Sequence, residues 1–201
     1  MTEGTAVLLA HHLHELKLGA MLRQYPSLVR QARETGQDYE EFLLTLAETE
    51  IRTRSDNRLR RRIRDARFPL LKTFEQYRYE SEPEIDKRLI EELKTGRYIE
   101  ERRNVIFTGK TGTGKTHLAI ALGIEACRQG IRSRFVTGSE LVNELIESRS
   151  ERALSRSIQR YAKSGLLIID ELGYVPFSKE GSQLLFQVMA DRYEQIGRAH
   201  V

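Results

Sequence analysis

The stretch Phe107–Gly123, FTGKTGTGKTHLAIALG, decides how the rest of the chain is read. Gly109, Gly114, Lys115 and Thr116 stand at the offsets of G-x-x-x-x-G-K-[ST], a loop whose backbone cradles phosphates. Both flanks agree with that reading. Ahead of the loop, NVIFT (104–108) is a short β-rich run suited to a buried strand. Behind it, HLAIALGIEACRQG carries apolar residues at helical spacing, with Gly130 as its stop. A strand that turns abruptly into a helix aims several backbone N–H groups at one point, and the helix dipole adds positive potential there.

Each residue of the loop then has a task. Gly112 and Gly114 let the backbone pass close to phosphate oxygens, where a β-carbon would obstruct. The expected nucleotide-binding set is Gly109, Lys110, Thr111, Gly112, Thr113, Gly114, Lys115, Thr116 and His117. Lys115 should reach the β- and γ-phosphates, and the Thr116 hydroxyl should ligate Mg²⁺. His117 falls in the first helical turn, so its backbone N–H rather than its ring is expected to face phosphate.

A loop of this kind needs an apolar strand ending in an acid, and GLLIIDELG (165–173) supplies one. Ligands sit at the carboxyl ends of strands in open α/β sheets, which turns Asp170 and Glu171 toward the loop. Asp170 is expected to hold Mg²⁺ and Glu171 to orient and polarise the attacking water. The candidate catalytic residues are thus Glu171 and Lys115, the metal residues Thr116 and Asp170, and the cofactors ATP and Mg²⁺. The chain has no N-K-x-D guanine-reading stretch, so ATP rather than GTP is the expected substrate.

Composition bounds the setting. The 201 residues are 39% hydrophobic and carry a formal charge of +4, which suits a core domain with a small helical module. Cys127 is the only cysteine, which excludes an internal disulfide and a cysteine metal cluster. No apolar run approaches the roughly 18 residues that span a bilayer. The N-terminus lacks a positive region ahead of its apolar stretch, so it does not read as a signal peptide. The expectation is a cytoplasmic protein without a membrane partner.

Residues 1–80 read as a separate helical domain. In AVLLAHHLHELKLGAML, Leu9, Leu13, Leu16 and Leu18 lie near helical spacing. In DYEEFLLTLAETE, Tyr39, Phe42, Leu43 and Leu46 share a face, with Asp38 and Glu41 offset as a capping box. IRTRSDNRLRRRIRDARFPL then packs eight arginines between Arg52 and Arg67 against only Asp56 and Asp65. Its apolar positions Leu59, Ile63, Ala66 and Leu70 make one narrow docking stripe. That leaves Arg58, Arg60, Arg61, Arg62, Arg64 and Arg67 as candidate contacts to phosphate backbones, chiefly DNA. The bland alternative is a solvated helix salt-bridged to its neighbours. A second basic stripe is quieter: Arg149, Arg152, Arg156, Arg160 and Lys163 span an arc of about 80° on one helix face. Leu154, Ile158 and Tyr161 lie on the opposite face. This stripe is either a further DNA contact or a solvated or intersubunit face.

With these residues placed, the chain resembles the IstB family of transposition helper ATPases, relatives of DnaC-type helicase loaders in the AAA+ class. The likeness rests on LHELKLGAM, RLRRRIRDARFP, TGKTGTGKTHLAIALGIEACRQG and GLLIIDELGYVPFSKEG followed by LLFQVMADRYE. IDELGYVPFSKEG and THLAIALGIEAC are its most particular segments. The resemblance implies an α/β fold: a P-loop, three-layer AAA+ nucleotide-binding core (81–195) preceded by the all-helical domain (1–80). It also implies a DNA-binding helper that forms a homo-oligomer on DNA and regulates target use by a partner transposase. A helicase loader, or a nucleotide-gated DNA-binding scaffold with incidental hydrolysis, are the alternatives. The likeness stops at Gln195. IGRAHV (196–201) does not look like the family's continuation and is expected to be a non-native tail on a longer natural chain. The family's missing fourth strand would then leave the sheet incomplete, with a gap of about 9–10 Å between the P-loop strand and the Asp170 strand. A chain with that gap is expected to aggregate and to hydrolyse ATP poorly.

Overall fold

The computed structural model describes residues 3–79, 85–148, 150–173 and 178–197. The chain divides into two compact units, Met1–Arg60 and Arg61–Val201. The division falls inside a helix and twenty residues earlier than the sequence boundary at 80. The residues between, Ile63, Phe68, Phe74 and Tyr77 among them, pack into the clusters of the second unit.

The first unit is built from α1 (Glu3–Glu15), α2 (Gly19–Thr35) and most of α3 (Tyr39–Ala66). Gly36 stops α2 at φ 65°, returning its N–H to Ala32 O. Asp38 starts α3 by accepting the Glu41 N–H at 2.8 Å. No local side chain caps α2; a distant one does. Glu50, almost fully buried in mid-α3, accepts Ala20 N at 2.8 Å and Met21 N at 3.1 Å. Arg54 steadies that carboxylate through Nε at 2.8 Å and sends Nη2 to Lys17 O at 2.8 Å.

α3 ends at Ala66, and Arg67 turns the chain with φ 58°. The apolar stripe expected to run on to Leu70 therefore stops short: Ala66 is fully buried, whereas Leu70 lies beyond the helix and is 63% exposed.

The second unit continues with a 3₁₀ turn (Phe74–Gln76), α4 (Lys87–Lys94), α5 (Arg97–Glu100), α6 (Lys115–Arg128), β1 (Ser133–Thr137), α7 (Gly138–Glu147), α8 (Glu151–Ala162), β2 (Leu166–Asp170) and α9 (Lys179–Gly197). Among the described residues the sheet is one parallel pair, β1 beside β2, with Ser133 opposite Leu166 and Thr137 opposite Asp170. Strand alternation sends side chains both ways. Phe135 and Ile168 meet Ile120 and Ile124 of α6, while Val136, Leu167 and Ile169 meet α7, α8 and α9. Helices thus cover both faces of the pair.

The run 104–108, expected as the P-loop strand, does not join the described sheet. It keeps the alternation of a strand: Val105 and Phe107 pack on the cluster of α4, α5 and α6, and Ile106 is 82% exposed. A strand is defined by its ladder of hydrogen bonds, and the described residues put none beside this segment. Of the tail expected at 196–201, Ile196 and Gly197 continue the α9 backbone, and 198–201 lie outside the described residues.

Candidate nucleotide site

The loop between 108 and α6 owes its path to glycine. Gly109, Gly112 and Gly114 have φ of 146°, 89° and 79°. Gly114 is the N-cap of α6 in the left-handed region, and its carbonyl accepts the first helical bond from Leu118 N at 2.9 Å. The first-turn N–H groups of such a helix have no intrahelical acceptor and point out of its end. Thr113 Oγ1 donates to Lys110 O at 2.9 Å. Lys115 Nζ lies over the loop mouth, donating to Gly109 O at 2.9 Å and Lys110 O at 2.6 Å.

Across the mouth stands the end of β2. Thr116 Oγ1 donates to Asp170 Oδ2 at 2.9 Å, joining two residues 54 positions apart. Glu171 follows with φ 59° and an exposed side chain. A glutamate in the left-handed region is uncommon and costs about 1–2 kcal/mol, so the surrounding turn enforces it. A hydroxyl and a carboxylate already in contact form the hard oxygen donor set that suits Mg²⁺. The residues present fit both a phosphate chain and the ion.

One residue at this site has no signal in the sequence motif. Tyr77, at the end of the 3₁₀ turn, donates its hydroxyl to Thr113 O at 3.0 Å. Its ring stands edge-on to the rings of His117 and Tyr79, at 5.2 and 5.0 Å between centroids. The His117 ring is turned to this side as well, its Nε2 lying 2.8 Å from Thr73 O. Segment 73–79 therefore straps the base of the loop. An apolar or aromatic position before the loop is too common a pattern to have marked Tyr77 beforehand.

The basic candidates scatter. Arg58, Arg60, Arg61, Arg64 and Arg67 are exposed. Arg61 and Arg64 pair with Asp65 at 3.7 and 3.2 Å, and Arg58 Nε reaches Arg54 O at 3.3 Å. Arg62 points inward instead, toward Cys127 O at the end of α6, at 3.5 Å. Arg152 and Arg156 of α8 and its C-cap Lys163 are exposed, while Ile158 and Tyr161 are buried on the other face. Arg160 pairs with Glu144 of α7. Arg149 lies outside the described residues. Among the described residues no helix is long and apolar enough to cross a membrane.

Similarity to known proteins agrees with this geometry. Over 183 residues, 91% of this chain, the sequence is 35% identical to a Geobacillus stearothermophilus protein named for ATP binding and for insertion sequence IS5376, covering 73% of that protein. It is 36% identical over 183 residues to the corresponding protein of insertion sequence IS21 from Pseudomonas aeruginosa, covering 69% of it. A Bacillus thuringiensis subsp. berliner relative, named for IS232, is 32% identical over 187 residues, 93% of this chain and 75% of its own. The family described as IstB-like ATP binding protein matches residues 11–198. The strapped loop and the acid-ended strand both lie inside that span: this chain belongs to the IstB-like ATP binding protein family.

Proposed function

We propose that this chain binds and hydrolyses ATP on an AAA+ three-layer core and, assembled as a homo-oligomer on DNA, acts as the helper through which a transposase chooses its target. The observation that carries the catalytic half is the Thr116–Asp170 hydrogen bond of 2.9 Å. It brings together the one hydroxyl and the one carboxylate that the chemistry needs at the metal. The relatives' names carry the link to insertion sequences.

Each residue has a defined part in the proposed reaction. The first-turn N–H groups of α6 and the loop backbone hold the phosphates by hydrogen bond and dipole. The Lys115 ammonium swings from the carbonyls of Gly109 and Lys110 to the β- and γ-phosphates, exchanging dipoles for full negative charges. Thr116 and Asp170 would hold Mg²⁺, which when bound would neutralise charge on the phosphate oxygens. Glu171, one residue past the metal carboxylate, accepts a hydrogen bond from the attacking water and turns its lone pair toward the γ-phosphorus. DNA engages the exposed arginines through its backbone phosphates, which gives affinity without base reading.

The test is phosphate release by the purified chain, with and without Mg²⁺ and with and without duplex DNA. Whatever turnover the wild type shows, slow as an incomplete sheet would make it, should require Mg²⁺. Glu171→Gln should bind ATP with near-normal affinity and release phosphate at least about 100-fold more slowly. Lys115→Ala should bind ATP poorly. A wild-type protein that binds no ATP would end this reading. A Glu171→Gln protein that still supports target choice in full would convert it to a nucleotide-gated scaffold.

A further inference from the structure

We infer that Arg134, together with Arg67 and Arg160, forms a seat for a nucleic-acid backbone phosphate at the end of α3 and the flank of α8. This rests on the DNA-binding reading above and adds to it a residue on β1 that no charge pattern in the sequence singled out.

Arg134 of β1 and Arg160 of α8 both lie against the Tyr161 ring, and Arg67 stands two residues after Asp65, whose carbonyl Arg134 reaches. Arg134 Cζ lies 5.8 Å from the centre of the Tyr161 ring, and Arg160 Cζ lies 5.2 Å from the same centre. Arg67 follows immediately on the buried Ala66, where its φ of 58° turns the chain out of α3. Arg134 is half-buried. It spends Nη1 on Asp65 O at 3.3 Å, and its Nε is buried without a hydrogen-bond partner among the described residues. Burial holds the Arg134 guanidinium below its usual range and the charge of Arg67 pushes the same way; the Tyr161 side chain opposes them, and the charge of Arg160 adds a smaller push downward.

Local negative charge does not balance the three. Glu144 pairs with Arg160 and also accepts the Tyr161 hydroxyl at 2.6 Å. The Asp65 carboxylate, whose backbone carbonyl serves Arg134, is itself turned to Arg61 and Arg64. Like charges gathered around a partly desolvated guanidinium are unfavourable unless an anion joins them. Phosphate, with its fork of oxygens, is the anion that arginine clusters match. A polymer is favoured over a single ion because the charges continue. From Arg160, the exposed Arg156 and Arg152 step along α8 at intervals of four residues, about 6 Å apart.

The experiment uses the full chain, a random-sequence DNA duplex and fluorescence anisotropy across a chloride series. Variants are Arg134→Gln and, because a partly buried change can disturb folding, the exposed Arg67→Gln. Expected for each is a roughly tenfold loss of affinity at moderate salt and a fall of about 0.9 in the slope of log affinity against log salt. The melting temperature of Arg134→Gln should be unchanged or higher, since it relieves repulsion. If wild type binds the duplex and both variants keep its affinity and slope, the phosphate seat is overturned while DNA binding stands. If wild type binds no duplex with or without ATP, the seat and the DNA reading fall together. If inorganic phosphate at fixed ionic strength raises the melting temperature of wild type but not of Arg134→Gln, with duplex slopes unaltered, the seat takes a free ion and the nucleic-acid assignment is overturned.

Discussion

Replacing Gly114 by alanine should damage the loop for two separable reasons. The first is backbone: φ is 79° there, and an L-residue in the left-handed region costs about 1–2 kcal/mol. The second is Tyr77. A β-carbon on Gly114 would lie 2.6 Å from Tyr77 Cε2 and 3.2 Å from its hydroxyl oxygen. Ordinary carbon contacts begin near about 3.5 Å, so the ring must retreat by about 1 Å. The Tyr77–Thr113 hydrogen bond, now 3.0 Å, would break, at about 1 kcal/mol. The edge contacts to His117 and Tyr79 would loosen at about 0.5–1 kcal/mol more. Gly114→Ala should therefore destabilise the second unit by about 3 kcal/mol in total. Urea unfolding followed by tyrosine near-UV dichroism, in a chain with no tryptophan, reads this directly. Pairing the change with Tyr77→Leu isolates the second cause, because the smaller side chain leaves room for the β-carbon. The double variant should recover about 1–2 kcal/mol relative to the sum of the single changes. Simple additivity would mean that Tyr77 does not brace the loop, and an undiminished Gly114→Ala protein would refute both causes.

Three other changes probe features of the fold and site. Glu50 is pushed up by burial, but the hydrogen bond from Arg54, the N–H groups of Met21 and Ala20 and the charge of Arg54 outweigh it and hold the carboxyl below the usual glutamate range. A folded value below the unfolded one means the stabilisation is complete above the unfolded value and is lost as pH falls through the folded one. Glu50→Gln should cost about 1–3 kcal/mol at neutral pH and flatten the acid limb of a melting-temperature profile; an unchanged acid limb would sink this account. Arg192 of α9 donates to the carbonyls of Tyr161, Ala162 and Ser164 at 3.0, 3.4 and 2.7 Å, closing the C-terminal end of α8. Arg192→Met should cost about 2–3 kcal/mol, with Arg192→Lys intermediate, and equal stability of both variants would argue against the cap. Glu171→Gly should relieve the left-handed strain and raise stability by up to about 1 kcal/mol while cutting phosphate release at least about 100-fold; loss of both stability and turnover would show that the strain account is wrong.

What was legible in the sequence was whatever a short stretch could state by itself. The loop, the helix behind it and the acid-ended strand were all visible, because their glycines, apolar period and terminal carboxylates lie within a few residues of one another. The helix even stops where Gly130 suggested, with Gln129 as its cap and Gly130 at φ 92°. Apart from Thr116 and Asp170, which the two motifs paired in advance, interactions between distant segments were not visible. β1 went unmarked, since SRFVT is a brief run with an arginine in it, and its identity as a strand depends on β2. For the converse reason 104–108 reads as a strand and pairs with none among the described residues: composition can propose a strand, and only a neighbour can complete it. Glu50, Tyr77 and Arg134 were equally hidden. Each acts on residues 29 or more positions away, where no periodicity reaches. Arg62, one of a run of like residues, proved to be turned inward toward the carbonyl end of α6.

The rung that pairs Thr137 with Asp170 has a mechanical consequence. Asp170 is bonded to the loop through Thr116, and Thr137 is the N-cap of α7, closed by a reciprocal box with Glu140. α7 is a ten-residue rod, about 15 Å long, and near its far end Glu144 grips Tyr161 and Arg160. The candidate phosphate site and the arginine flank are thus joined through the last rung of the β1–β2 pair and the body of α7. Between Thr137 and Glu144 the connection is helix alone, so a displacement of Asp170 would meet no loop on its way to Arg160.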